Sequence, residues 1–293
     1  MGRDYSSFPP IGISAYSDFY DVPERRVWGD YWLKENLIRE FTKAGYPVDN
    51  ASPKVLLHLF GEPLESIPSH THNILWVHSH PDWISPEILG KYDKVYCISK
   101  LFTEKIRRSG FEAEWLMIPT GMTPEEAEIR YDIVFVGNTK KGKARRIVSD
   151  MGRPPFRVKI WGWGWKGLIP DEWYGGVYYE HGMLGKLYSS ARIVLNDHHE
   201  DMRREGFINP RILDVLASGG FVISDRVEGM EGIFAGSVPS YESGEELRRL
   251  IDFYMTEEGG REALSRKGRE IAARYTCRRA CAGIIGHIAA SLA

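Results

Sequence analysis

Short apolar runs alternate with helical stretches along almost the whole chain, and this rhythm limits the fold more than any single motif. Residues 11–15, 55–60, 74–77 and 95–98 read as strands in the first half. Between them, 27–44 carries helical periodicity through Trp28, Trp32, Leu37 and Phe41 and stops at Gly45, a residue suited to a left-handed cap. Residues 101–108 read as a helix before Gly110. A second run starts at Asp132, with strand candidates at 133–136, 158–161, 177–179, 193–196 and 221–224. Helices fall at 183–190 and 210–217, and one starts near Lys143. Strands joined through helices pair in parallel, because the crossover carries the chain back to its starting edge. The tail is helical at 244–255 and 259–275, and Thr276 suits the N-cap of a last helix. The pattern predicts an α/β chain of two Rossmann-like domains with a C-terminal helical tail. The domains are expected at 1–125 and 126–275, within the polar linker 119–130, and the helix 276–293 is expected to pack back on the first domain.

A length of 293 residues suits two such domains. Hydrophobic residues at 43% and charged residues at 27% exclude collagen, coiled coil and disorder, and allow real cores. Lys+Arg 38 against Asp+Glu 40 gives a net charge of -2, which argues against a nucleic-acid partner. Cys97, Cys277 and Cys281 are odd in number and form no CxxC, so no disulfide framework is expected and a reducing compartment is favoured. No apolar run nears the ~18 residues of a membrane span, and the opening ten residues lack the apolar core of a leader, so a cytoplasmic protein is expected.

The stretch 205–225, EGFINPRILDVLASGGFVISD, carries most of the chemistry. Asn209 suits an N-cap, Pro210 the first helical position, and Gly219 closes the helix. Ile212, Leu213, Val215 and Leu216 can pack inward, while Arg211, Asp214 and Ser218 share a polar edge. A helix start favours an anion, Arg211 in its first turn can fork onto a pyrophosphate, and Asp214 one turn on can accept both hydroxyls of a ribose. The plainer alternative is a surface ion pair between Arg211 and Asp214.

The string Asn209-x-Arg211-x-x-Asp214-x-x-Ala217-x-Gly219-Gly220-Phe221, ending Ser224-Asp225, resembles the nucleotide-sugar motif of CgeB-like glycosyltransferases, relatives of the retaining GT-B enzymes. The usual family carboxylate here is Glu, and Asp214 is one methylene shorter. Residues 131–138 (YDIVFVGN) resemble the family's opening strand of the donor domain, 160–165 (IWGWGW) its Gly-x-Gly-Trp segment, 187–196 the approach to its Leu-Asn strand end, and 275–279 the start of its closing helix. The likeness covers roughly 131 to 285 and is loose in the first half.

The resemblance implies a GT-B fold that holds a nucleotide-diphosphate sugar, a UDP-sugar favoured, mainly on the C-terminal domain and an unknown acceptor against the N-terminal one. It implies a hexosyltransferase of bacterial-type glycan biosynthesis, with no cofactor, no metal and retention of configuration expected. Gly137 and Asn138 at a strand end, with Lys140, Lys143 and Arg145 after them, would meet the phosphates; a solvated loop is the plainer reading of this KKGKARR run. Tyr179 or His181 would stack on the base, against a plain core role for Tyr178 and Tyr179. Glu205 would lie beside the donor sugar, with the N–H groups of Gly206, Phe207 and Ile208 facing the sugar or leaving phosphate. Glu205 precedes Asp214 by nine residues, one more than in the wider family. His78 or His80 would act from the N-terminal domain, and Arg211 would stabilise the leaving diphosphate.

Two other readings remain. Five of nine histidines, His58, His70, His72, His78 and His80, lie between residues 58 and 80, and His78-x-His80 with a nearby carboxylate is how some metal-dependent hydrolases begin. Asp197, His198, His199 and Asp201 are the one candidate second ligand set downstream. The other reading is a nucleotide-sugar-binding subunit without transfer. Trp28, Trp32, Trp76 and Trp83 can line an acceptor platform, with core packing first for Trp32 and Trp76.

Overall fold

The computed structural model describes residues 7–21 and 24–292. Residues 1–6, on which the reading of the opening segment partly rests, lie outside it. The chain forms two compact units. The first comprises Met1–Gly121, Glu200–Ile208 and Tyr275–Ala293, and the second Met122–His199 and Asn209–Arg274.

In the first unit the chain runs β1 (Ile11–Ala15), α1 (Gly29–Lys43), β2 (Val55–Phe60), β3 (His72–Val77), α2 (Pro86–Leu89), β4 (Lys94–Cys97), α3 (Lys100–Arg108) and β5 (Ala113–Trp115). The strands pair in parallel in the order β1-β2-β3-β4-β5. Every residue of β2 is buried, as a strand covered on both faces requires. α1 buries Leu33, Leu37 and Phe41.

The second unit holds β6 (Tyr131–Val136), α4 (Arg146–Met151), β7 (Val158–Trp161), β8 (Tyr174–Gly176), α5 (Leu184–Ser189) and β9 (Ala191–Asn196). The chain then enters the first unit as α6 (Glu200–Arg204) and returns as α7 (Arg211–Ala217), β10 (Val222–Asp225), α8 (Met230–Phe234), β11 (Ser240–Tyr241), α9 (Gly244–Thr256) and α10 (Glu258–Ala272). The closing helix α11 (Cys277–Leu292) packs on α1 in the first unit. The Arg279 N–H bonds the Thr276 hydroxyl, the expected N-cap geometry. The second sheet is also parallel, ordered β11-β10-β9-β6-β7-β8. From β6 the chain steps outward to β8, then crosses back to β9 on the other side of β6. The sheet therefore reverses its winding between β6 and β9, the position where open α/β sheets take their ligands at the carboxyl ends of the strands.

Three local expectations are corrected. Residues 177–179 are not a strand: β8 lies at Tyr174–Gly176, and Val177 and Tyr178 are exposed. The Trp161 indole lies over this edge, where a Cβ at Gly175 would come 2.3 Å from its ring, so the strand forms at glycines instead of at the aromatic run. The helix expected near Lys143 starts at Arg146, because Lys140 and Lys143 exchange backbone hydrogen bonds (3.1 and 3.0 Å) around a turn with Lys141 and Gly142 at positive φ. The helix expected at 210–217 starts at Arg211. The three cysteines are buried and form no disulfide. No described helix is long and apolar enough to cross a membrane.

Candidate functional site

The carboxyl ends of β6 and β9 are adjacent, and the side chain of Arg211 reaches them from the first turn of α7. Its Nη1 donates to Asn196 Oδ1 (2.9 Å), and its guanidinium carbon lies 5.8 Å from the centre of the Phe135 ring. A Cβ at Gly137 would stand 3.5 Å from Arg211 Nη2. The strand end of β6 is thus bare beside the guanidinium. Asn209 supports the turn: its Oδ1 accepts the Arg211 N–H (3.0 Å) and its carbonyl the Ile212 N–H (3.1 Å). Asp214, partly exposed, follows one turn along the same helix edge.

The Gly-x-Gly-Trp segment is laced to the loop after β6. Trp165 Nε1 donates to the Gly137 carbonyl (2.7 Å), the Trp163 N–H to Asn138 Oδ1 (2.9 Å), and the Thr139 N–H to the Trp163 carbonyl (3.0 Å). The Asn138 side-chain oxygen therefore holds the Trp163 peptide. Lys140 and Lys143 are exposed on their hairpin turn, as a solvated loop or a phosphate arm requires. Arg145 is corrected. It is buried, and both its forks meet Asp197: Nη2–Oδ1 at 2.6 Å and Nε–Oδ2 at 3.2 Å. Burial works against each charge, and the two-point pairing offsets it. Arg145 ties the loop after β6 to the end of β9 and has no fork left for a phosphate.

Tyr179 stands edge-on to Trp161 at 5.0 Å, half-buried, with its hydroxyl pKa raised by burial. Burial pushes the pKa of His181 down to about 4, so its ring is neutral at pH 7.

Glu205 to Ile208 belong to the first unit and the Arg211 helix to the second. Glu205 pairs with Lys105 (3.1 Å) and Arg204 (3.3 Å), and Phe207 is buried edge-on to Phe102. The expected backbone donors are corrected: the Gly206 N–H already meets the Arg203 carbonyl and the Phe207 N–H the Met202 carbonyl, closing α6. Ile208 is a buried core residue.

His78 and His80 follow β3. Burial, with His80 and His58 nearby, pushes the pKa of His78 down to about 3, and its Nε2 is buried without a hydrogen-bond partner. His80 has φ 51, stacks on Trp83 at 4.5 Å and meets the Ser79 hydroxyl. His58 shares its Nδ1 with the Tyr92 hydroxyl (2.5 Å). The second ligand set of the hydrolase reading is corrected too: His198 has Asp225 on one nitrogen and the Asn209 N–H on the other, and both oxygens of Asp197 hold Arg145. Among the described residues, no three His, Cys, Asp or Glu side chains converge as a metal cluster. The pairing of Asn196, Asp197 and Asp225 with Arg211, Arg145 and His198 is not legible in the sequence, since these partners lie 15 to 52 residues away.

Two parallel α/β units closed by a C-terminal helix form the GT-B fold. Residues 141–285 match the family model described as glycosyl transferase-like. A search of curated proteins by sequence found no match. Among solved structures, pneumococcal O-GlcNAc transferase GtfA, in complex with UDP and GlcNAc, is similar at TM-score 0.54 and 12% identity over 76% of this chain. This chain spans only 53% of that protein. Sucrose-phosphate synthase from Thermosynechococcus elongatus is similar at TM-score 0.60 and 14% identity, over 92% of this chain and 78% of its own. T4 phage BGT, in complex with its UDP-glucose substrate, is similar at TM-score 0.59 and 11% identity, over 94% of this chain and 96% of its own. The chain thus has the GT-B fold, and its second half matches the glycosyl transferase-like family.

Proposed function

We propose that the protein transfers a hexose from a nucleotide-diphosphate sugar, a UDP-sugar favoured, to an acceptor hydroxyl. The observation that carries this reading is Arg211, held on Asn196 at the point where the second sheet reverses its winding, within the residues that match the family. UDP or a UDP-sugar in the structures of GtfA and T4 phage BGT favours uridine as the base.

In this reading Arg211 takes the diphosphate and Asp214 the ribose diol. Gly137 leaves room for the phosphates, and Lys140 closes on them from its turn. Tyr179 or His181 meets the base. As the bond from the sugar C1 to the phosphate oxygen breaks, negative charge grows on the leaving diphosphate, and Arg211 stabilises it. The acceptor oxygen bonds C1 on the face the diphosphate leaves, retaining configuration, and its proton passes to a leaving phosphate oxygen. On the first unit, His80 stacked on Trp83 offers an aromatic contact for the acceptor, and His78, neutral at pH 7, offers an uncharged one. No metal is invoked in these steps.

The test is a thermal-shift panel of UDP, GDP and dTDP on wild type and Asp214→Ala, followed by a UDP-sugar turnover assay. A nucleotide at ~100 Kd adds about 2.7 kcal/mol to the folded state. One nucleotide is expected to stabilise wild type and to lose that effect in Asp214→Ala. Stabilisation by none of them would sink the donor reading. Binding without turnover of any donor would instead identify a nucleotide-sugar-binding subunit.

A further inference from the structure

Six residues at the ends of β9 and β10 and the start of α7 close a ring of hydrogen bonds. Asp225 Oδ1 accepts from His198 Nδ1 (2.5 Å), and Oδ2 accepts the His198 backbone N–H (3.3 Å). With Nδ1 carrying the proton, Nε2 is left as an acceptor, and it receives the Asn209 N–H (2.8 Å). Asn209 Oδ1 accepts the Arg211 N–H (3.0 Å), and Arg211 Nη1 donates to Asn196 Oδ1 (2.9 Å). Asn196 Nδ2 donates to Ser224 Oγ (2.9 Å), whose own proton returns to Asp225 Oδ1 (3.3 Å). Every donor meets an acceptor, and two arms run from Arg211, which donates into both, to Asp225, which accepts from both. Asn196, His198, Ser224 and Asp225 are buried. A buried polar network rigidifies its members when each is satisfied, and fails when one is reversed.

We propose that Asp225 and His198 are positioning residues for donor binding. Asp225 fixes the tautomer of His198, His198 fixes the Asn209 peptide, and Asn209 fixes the backbone from which Arg211 reaches the diphosphate. Asn196, held through Ser224 on the same carboxylate, sets the guanidinium end. The device rests on the reading of Arg211 as the diphosphate ligand.

The chemistry separates this role from plain core packing. Asp225→Asn keeps shape, yet its amide N–H must face either His198 Nδ1 or the His198 backbone N–H. The first orientation moves the histidine proton to Nε2, against the Asn209 N–H, and the second sets two donors against each other. His198→Asn keeps a donor toward Asp225 and loses the acceptor for Asn209, whereas His198→Gln puts an amide oxygen near the Nε2 position. UDP affinity by isothermal titration calorimetry, with thermal denaturation beside it, reads these differences. The expected result is a Kd for UDP raised tenfold or more in Asp225→Asn and His198→Asn, and within threefold of wild type in His198→Gln. Long-range proton–nitrogen spectra of histidine-labelled wild type should show the proton of His198 on Nδ1. Should Asp225→Asn fail to fold, the two His198 variants, which remove no charge partner of the core, decide the matter. Equal affinity in all variants, or His198→Gln as weak as His198→Asn, would overturn the positioning role and leave the donor reading standing. No affinity in wild type would overturn both.

Discussion

Arg145 and Asp197 show how much one buried pair can depend on both its members. The arginine is 8% exposed and the carboxylate 2%, so removing either leaves the other charge buried without its counter-charge. Arg145→Met should lower stability by about 3–5 kcal/mol, and Arg145→Met with Asp197→Leu should recover most of that loss. Urea denaturation of wild type and both variants measures it; a double variant no better than the single would mean that the pair is not the source. The sequence offered five basic residues in KKGKARR and no way to tell which turns inward, because the deciding carboxylate lies 52 residues on. Glycine 162 is a second such point. It has φ +144, and a Cβ there would meet the Gly137 carbonyl oxygen at 2.2 Å, whereas Gly167, at φ +82, faces open space. Gly167→Ala should cost only the left-handed backbone, about 1–2 kcal/mol. Gly162→Ala must also move the loop after β6, so it should cost more and weaken UDP binding, read in the same denaturation and titration series. Equal costs at the two glycines would deny that the contact matters.

Elements that announce themselves in a sequence are those whose own residues decide them. The runs at 11–15, 55–60 and 158–161 became strands over the expected residues because each is apolar enough to be buried whichever way the sheet twists. Thr276 capped α11 because an N-cap acts within one turn. β8 could not be read, since its glycines are placed by the indole of another strand. The same distinction applied to the site: the Arg211 turn was local and legible, while the residues that hold it, Asn196, His198 and Asp225, meet only through the strand order. The packing of α11 on α1 is likewise a property of two elements together. Ala280, Cys281, Ile284 and Ile288 are buried in α11, and Cys281 Sγ reaches the Leu37 carbonyl at 3.7 Å. Ile284→Ala should therefore cost about 2–5 kcal/mol, as deletion of a buried branched side chain does. Arg278→Ala on the exposed side of the same helix should fall within about 0.5 kcal/mol of wild type. A small effect of Ile284→Ala in chemical denaturation would show that α11 is dispensable to the first unit.

At the scale of the whole molecule, the two units differ in how acid should act on them. The first holds His58, pushed down to about 4 by burial, His78, pushed down to about 3, and His287, lowered by burial and by Lys94 and His72. In the second, the half-buried His181 is shifted in the same direction. A histidine whose folded pKa lies below the ordinary 6.5 stays neutral in the fold while the unfolded chain takes a proton. Its contribution is thus complete above pH 6.5 and is lost as pH falls toward the folded value, after which the loss levels off. For His58, shared with the Tyr92 hydroxyl inside β2, the loss by pH 5 amounts to about 2 kcal/mol. His78 and His287 act in the same direction. Hydrogen exchange at pH 7 and pH 5, corrected for intrinsic rates, should therefore show β2 and β3 losing more protection than β6 and β9. His58→Gln, which keeps a polar partner for Tyr92 and removes the titrating group, should narrow that difference. Equal losses in the two sheets would place the acid sensitivity elsewhere. An unchanged contrast in His58→Gln would assign it to His78 and His287.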